Sequence, residues 1–422
     1  MILEIEPRKI SGSVVVPSCK SFALRAILAA SFCDGVSLIE NVEFCEDVKS
    51  MVFGLEKLGV RFEFKGKILK VFGRFKKDLN SKRNVIDCLN CGFSFRVFSF
   101  LLAALFPNFF LKGTKELFKR PLVCDIFLEG KKFEYLERFG DFFVVKRKLV
   151  SGKYEVDCSV SSQFLTGLLF TLRLLDGNSE IILKSKIESL QYVEMTWQVL
   201  KKFGVFVKKT RKGFFIRGNQ NFKETKFLVE GDYSNSAFFS LFGAFWPVEL
   251  KGLKKSSVQK DRIFFKVIRK AGCYVKFKHD SFFISPKRKL KPFVFDISKN
   301  IDLAVCFAIF ACFCDGISTL FGIERLRFKE SDRVVSILNL INSLGGKAKC
   351  FKDRITIEGG KKLKGGFVKG FKDHRVVMAA FSISCFCENS TFVSDVESVF
   401  KSNINFFKDF RSLGGVFRGV HL

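Results

Sequence analysis

Proline (7), histidine (3), tryptophan (2) and tyrosine (5) are scarce in this chain of 422 residues. Phenylalanine numbers 56, a lopsided usage that packing alone does not select and that points to a bias in the coding nucleotides. At this length the chain is no small stapled module, and 48% hydrophobic with 27% charged residues excludes disorder and fits two or three folded domains. The opening Met1-Ile2-Leu3-Glu4-Ile5-Glu6 lacks a basic stretch leading into an apolar one, so no secretory leader is read and a reducing cytoplasm is expected. Clean apolar runs fall short of the ~18 residues that a membrane span needs, and Arg96 and Lys112 bracket the region around Leu101, so no membrane association is expected. There are 14 cysteines, but the one Cys-x-x-Cys, Cys88 to Cys91, has no second pair or His-x-His at zinc spacing. Most of the others lie in apolar runs such as Leu303 to Cys314, where core packing is the expected role and no metal is implied.

Acidic residues are also short, 42 against 72 Lys and Arg, for a net charge of +30. Such a charge attracts polyanions without specificity. The nucleotide bias makes part of the lysine solvated surface, and aromatics set among bases, as in Phe62-Glu63-Phe64-Lys65, read as an alternating strand rather than a base-stacking platform. No specific nucleic-acid partner is expected.

Polar clusters that open apolar helical runs recur about every 70 residues, centred on Ser21, Gly92, Ser162, Ser234, Asp302 and His374. A second series runs in step with the first, in which a helical pattern stops at Gly59, Gly130, Gly204, Gly272, Gly345 and Gly414 before a β-rich run. Each unit reads as strand, polar turn, apolar helix, strand, second helix, glycine stop and alternating strand, the last exemplified by Val60 to Phe64. The chain is therefore predicted to be α/β, six copies of one unit grouped as two lobes of three. The first helix of each unit, for instance Phe164 to Leu175 or Ala304 to Cys314, is apolar nearly all round, which predicts burial inside its lobe.

The helix starts then become a shared feature. In the first, Pro17 to Arg25, Ser21 and Arg25 stand four apart on one face with Lys20 beside them. A helix N-terminus offers free N–H groups and partial positive charge, so such a trio suits a phosphate or carboxylate. A solvated lysine with a serine cap explains this one cluster equally well. Across the others the position carries Asn90-Cys91-Gly92 with Arg96, Ser161-Ser162-Gln163, Glu230-Gly231-Asp232, Asp302, and Asp373-His374-Arg375. Capping accounts for the Ser and Asp residues but leaves Lys20, Arg96 and Arg375 unexplained. Away from the helix starts, the run Arg325 to Arg333 is either a charged helix start with i,i+3 pairs or a clamp for an anionic substrate with one acid kept for proton transfer.

With Lys20-Ser21-x-x-x-Arg25, Ser161-Ser162-Gln163, Glu230-Gly231-Asp232, Leu326-Arg327-x-Lys329-Glu330-Ser331-Asp332-Arg333, Asp373-His374-Arg375 and Lys401-Ser402 in this order, the chain resembles the 5-enolpyruvylshikimate-3-phosphate synthase family of enolpyruvyl transferases over nearly its whole length. The resemblance implies an inside-out α/β barrel of two similar lobes with the active site in the cleft between them. Lobe one would take residues 1–18 plus 228–422, and lobe two residues 19–227. It implies transfer of the enolpyruvyl group of phosphoenolpyruvate to the 5-hydroxyl of shikimate 3-phosphate by a monomer that needs no cofactor.

Carried over on the matching motifs, Lys20, Ser21, Arg25, Ser161, Ser162, Gln163, Tyr192, Asp302 and Lys329 would hold shikimate 3-phosphate. Lys20, Gly92, Arg120, Gln163, Arg333, Arg375 and Lys401 would hold phosphoenolpyruvate. Glu330 would move the proton of the enolpyruvyl methylene, Asp302 would take the hydroxyl proton, and Lys20 would steady developing charge. His374 is open between a structural and a catalytic or phosphate-binding part.

The chain departs from the family pattern at Phe93 and Val97, where Thr and Pro are usual and added bulk is expected to tell on affinity. It departs also at Lys260 for Gly and Ile404 for Pro, where looser turns are expected. The sister enzyme acting on UDP-N-acetylglucosamine is the nearest alternative, but it has Lys-Asn where this chain has Lys20-Ser21. A non-catalytic polyanion-binding scaffold is the alternative from another class.

Overall fold

The computed structural model describes residues 1–73, 85–105, 109–146, 148–185 and 189–420. The described chain divides into two compact units, Met1–Ser18 with Glu230–Leu422, and Cys19–Val229. Each unit contains three sheets, and all six sheets share one core pattern of a parallel pair extended by two antiparallel strands. In the Cys19–Val229 unit, for example, Lys226–Leu228 runs parallel to Val36–Glu40, which pairs antiparallel with Ile68–Phe72 and that in turn with Arg61–Lys65. In the other unit Gly12–Val15 runs parallel to Val248–Lys251, followed by Ser281–Ser285 and Tyr274–Lys278. The repeat visible in the spacing is thus a repeat of strand pairing.

In five of the six sheets an apolar helix lies in the chain between the strands of the parallel pair, and in the sixth Lys20–Ser31 precedes Val36–Glu40. Lys20–Ser31, Gly92–Leu105 and Gln163–Thr171 belong to one unit, and Tyr233–Ser240, Ala304–Phe313 and His374–Ser384 to the other. Ala and Leu favour the helical backbone, and every residue from Phe22 to Ser31 is buried. Several hydroxyls inside these helices bond back to their own backbone, as Ser31 Oγ does to the Ile27 carbonyl at 2.8 Å. Ser382 Oγ also reaches the Phe238 carbonyl at 3.1 Å, which fixes two helices of the Met1–Ser18 and Glu230–Leu422 unit against each other. In the Cys19–Val229 unit Gly167 lets Gln163–Thr171 approach Gly92–Leu105, since a Cβ there would stand 2.5 Å from Phe100 and 3.0 Å from the Arg96 carbonyl.

Five glycine stops follow helices with positive φ, namely Gly59, Gly204, Gly272, Gly345 and Gly414. Gly130 differs. The second helix of that repeat is the single turn Lys115–Phe118, and Gly130 with Glu129 makes the tight turn between Ile126–Leu128 and Lys131–Lys132. Those two strands join the next sheet beside Lys153–Val156, which grows to six strands. The helical run ahead of Leu175 also ends earlier than its hydropathy suggests, at Thr171, and continues as a tighter 3₁₀ turn over Leu172–Leu174.

All fourteen cysteines are free, and twelve are buried. Among the described residues, no helix is long and apolar enough to cross a membrane. Lys260 opens the 3₁₀ segment Lys260–Arg262 without left-handed backbone, so its conformation does not demand glycine.

Candidate active site

In the Cys19–Val229 unit Lys20, Arg25 and Arg96 stand in the opening turns of helices, and Arg120 follows the helix Lys115–Phe118. Helix Lys20–Ser31 opens without a capping side chain, with Lys20 and Ser21 half-buried at its mouth. Lys20 Nζ pairs with Asp47 Oδ2 at 2.7 Å, and Asp47 stands in the first turn of helix Glu46–Lys57. One turn on, Arg25 is buried, its Nε donating to Thr196 Oγ1 at 2.9 Å, Nη1 to the Ser21 carbonyl at 2.8 Å and Nη2 to Thr166 Oγ1 at 3.5 Å. Its guanidinium carbon lies 4.8 Å from the centre of the Phe93 ring and 5.8 Å from that of Tyr192. Among the described residues Arg25 makes no ion pair. Burial therefore dominates and lowers its pKa to about 10, with Tyr192 and then Cys19 opposing.

Gly92 begins the helix Gly92–Leu105, and two guanidinium groups converge on it. A Cβ at Gly92 would lie 2.8 Å from Arg96 Nη1 and 3.8 Å from Arg120 Nη1. Arg96 Nη1 donates to Gln163 Oε1 at 2.6 Å, and Arg120 Nη2 to Asn90 Oδ1 at 2.6 Å. Burial, then the charge of Arg120, lowers the Arg96 pKa to about 10. Ser161 Oγ accepts from the Gln163 N–H at 3.3 Å, while Ser162 is buried and its carbonyl takes the Thr166 N–H. Thr196 Oγ1 lies 2.9 Å from the Tyr192 carbonyl, which links Tyr192 to the Arg25 surroundings.

In the unit Met1–Ser18 with Glu230–Leu422, acids and bases are paired. Asp302 Oδ1 stands 3.0 Å from Arg333 Nη1, 3.5 Å from Arg375 Nε and 3.9 Å from Lys329 Nζ. Arg333 is buried and also meets Glu330 Oε2 at 2.8 Å and Asp373 Oδ2 at 2.9 Å. Burial opposes its charge, but Asp373, Glu330 and Asp302 outweigh burial and raise its pKa. Lys329 goes the other way: burial lowers it to about 8, opposed by Asp302 and assisted by Arg333 and Arg325. Asp332 caps helix Arg333–Ser343, and Asp373 caps helix His374–Ser384 through the Arg375 N–H at 3.0 Å. The buried Asp261 holds Asn300 Nδ2 at 2.9 Å and receives the Ser234 hydroxyl; burial, then Asp302, raises its pKa.

Of the residues named from the sequence, the first unit described gathers Lys20, Ser21, Arg25, Gly92, Arg120, Ser161, Ser162, Gln163 and Tyr192, and the second gathers Asp302, Lys329, Glu330, Arg333 and Arg375. Lys401 is buried at the end of the 3₁₀ segment Val396–Lys401, and His374 is buried with Nδ1 3.7 Å from Asp373 Oδ1. Sequence reasoning assigned no part to Asp47, Thr166 or Thr196, which carry partners of Lys20 and Arg25. An acid in a first helical turn has no mark that separates a counter-ion from an ordinary helix-dipole residue. Asp373 was legible only as the neighbour of His374 and Arg375, not as the counter-ion of Arg333.

Sixfold strand pairing around helices whose starts are polar or charged defines an α/β protein of six repeated units. The model of the EPSP synthase (3-phosphoshikimate 1-carboxyvinyltransferase) family matches residues 5–410. The 3-phosphoshikimate 1-carboxyvinyltransferase of Clostridium kluyveri is 37% identical over 418 residues, covering 98% of this chain and 97% of that one. That of Clostridium beijerinckii is 35% identical over 428 residues, covering 98% of each. The solved EPSP synthase of Acinetobacter baumannii has the same fold, with a TM-score of 0.79 at 20% identity over 99% of both chains. The chain belongs to the EPSP synthase family.

Proposed function

We propose that the chain transfers the enolpyruvyl group of phosphoenolpyruvate to the 5-hydroxyl of shikimate 3-phosphate and releases phosphate, as a step of the shikimate pathway. The observation that carries this reading is a division of charge. In one group Lys20 pairs with Asp47 while the buried Arg25 and Arg96 bond hydroxyl, amide and carbonyl oxygens, whereas in the other Lys329, Arg333 and Arg375 are matched by Asp302, Glu330 and Asp373. The first group suits the phosphates and carboxylates of two anionic substrates, and the second suits proton transfer. The family resemblance supports one site drawing on both groups in a cleft between two lobes of an inside-out α/β barrel.

In this reading Lys20, Ser21, Arg25, Ser161, Ser162, Gln163, Tyr192, Asp302 and Lys329 hold shikimate 3-phosphate. Gly92, Arg120, Arg333, Arg375 and Lys401 hold phosphoenolpyruvate together with Lys20 and Gln163. Glu330 protonates the methylene carbon, Asp302 accepts the proton of the attacking 5-hydroxyl, and a tetrahedral adduct forms. Glu330 then takes a proton from the new methyl group as the C–O bond to phosphate breaks, which restores the double bond. The cations offset the charge that gathers in the adduct, where fixed charges act with little reorganisation.

The test measures phosphate release from phosphoenolpyruvate with shikimate 3-phosphate and, separately, with UDP-N-acetylglucosamine. Release with the first acceptor only is expected, and turnover with the sugar nucleotide only defeats the reading. Glu330→Gln is expected to abolish turnover while calorimetry still detects shikimate 3-phosphate; near-normal turnover removes Glu330 from the proton-transfer role.

A further inference from the structure

We infer that Phe93 is a positioning residue for recognition of shikimate 3-phosphate, its ring holding the Arg25 guanidinium in place without consuming the hydrogen-bond donors that an anion needs; this rests on the part proposed above for Arg25.

Arg25 is a buried cation with no carboxylate among the described residues, an arrangement that desolvation strongly opposes. Its three hydrogen bonds go to two hydroxyls and one carbonyl, so three of the five guanidinium donors are taken and two are left. A carboxylate in place of the ring would neutralise the charge and occupy donors. An aromatic face attracts a cation through its quadrupole and accepts none of the in-plane N–H groups. Phe93 has that geometry, its centroid 4.8 Å from the guanidinium carbon, with Tyr192 more distant at 5.8 Å. Phe93 is itself 6% exposed and stands in the first turn of helix Gly92–Leu105, so the ring is held in packed surroundings.

Phe93 also adjoins Gly92, on which Arg96 and Arg120 converge. One backbone step therefore joins the Arg25 surroundings to the Arg96 and Arg120 pair. The threonine usual in the family at this position has no aromatic face, so the substitution changes what supports Arg25 and is not added bulk alone.

The test is steady-state kinetics of the full chain with both substrates. Phe93→Leu keeps apolar volume but loses the quadrupole and is expected to raise the KM for shikimate 3-phosphate about fivefold to tenfold, the size of a desolvated cation–π contact, with kcat and the KM for phosphoenolpyruvate within about twofold. Phe93→Tyr keeps a ring and is expected to restore the parent KM. In the background of Arg25→Ala, Phe93→Leu is expected to add nothing further. Should the leucine variant fail to fold, 3,4,5-trifluorophenylalanine at position 93 keeps the shape, weakens the ring's negative face and is expected to raise the same KM. An unchanged KM in both variants, equal losses for the two substrates, or an undiminished Phe93→Leu effect without Arg25 overturns the inference. A parent enzyme that releases no phosphate from the two substrates instead sinks the functional reading beneath it.

Discussion

Lys329 is a cation whose surroundings move its titration toward neutral pH. Burial lowers its pKa to about 8, and Asp302 only partly opposes that. The ammonium is thus present below pH 8 and lost above it, so kcat/KM for shikimate 3-phosphate is expected to fall on the basic side with an apparent pKa near 8. Lys329→Arg retains its charge and is expected to move that limb upward; a profile flat from about pH 7 to 9.5 removes Lys329 from substrate binding. Gly92 carries a second expectation. A methyl group there meets Arg96 Nη1 at 2.8 Å and pushes it off Gln163. Gly92→Ala is expected to raise the KM for phosphoenolpyruvate on the order of tenfold, equivalent to about 1.4 kcal/mol, with a smaller effect on the other substrate. At this scale the four-residue step from Ser21 to Arg25 was legible, since it is a helical repeat and the Ser21 carbonyl does accept from Arg25. The counter-ions Asp47 and Asp373 were not, because pairing across distant segments leaves no local spacing.

Among the elements, the apolar helices show why close approach outranks propensity. Alanine favours a helix over glycine by about 1 kcal/mol, yet at Gly167 its Cβ would collide with Phe100 and the Arg96 carbonyl. Gly167→Ala is therefore expected to lower stability by about 1 to 3 kcal/mol, read as a lower urea midpoint at unchanged m. A raised midpoint would show that the two helices can move apart without cost. Helices and glycine stops were legible because hydropathy period and positive φ are local properties. The exception at Gly130 is instructive. Its turn chemistry suits a helix end and a tight hairpin alike, and pairing of Ile126–Leu128 with Lys153–Val156 decides for the hairpin.

For the molecule as a whole, fourteen free cysteines set against a +30 charge describe a chain held by burial rather than by covalent links. Only Cys124 and Cys350 are half-buried, and burial raises the Cys124 pKa. An aromatic disulfide reagent is expected to titrate Cys350 first and Cys124 slowly in the native state, and all fourteen thiols in guanidinium; rapid reaction of many native thiols refutes the packing described. Sequence alone determined the α/β class, the sixfold period and the residue types at the helix starts, because each depends on neighbours within a few turns of chain. Tertiary structure decided which charges neutralise one another. Asp302, Glu330 and Asp373 surround Arg333, whereas Arg25 is left to hydroxyls and rings. Ion pairs and cation–π contacts need separations of a few ångströms, and only folding sets the distances between residues tens of positions apart, such as Asp302 and Arg333 or Arg25 and Phe93.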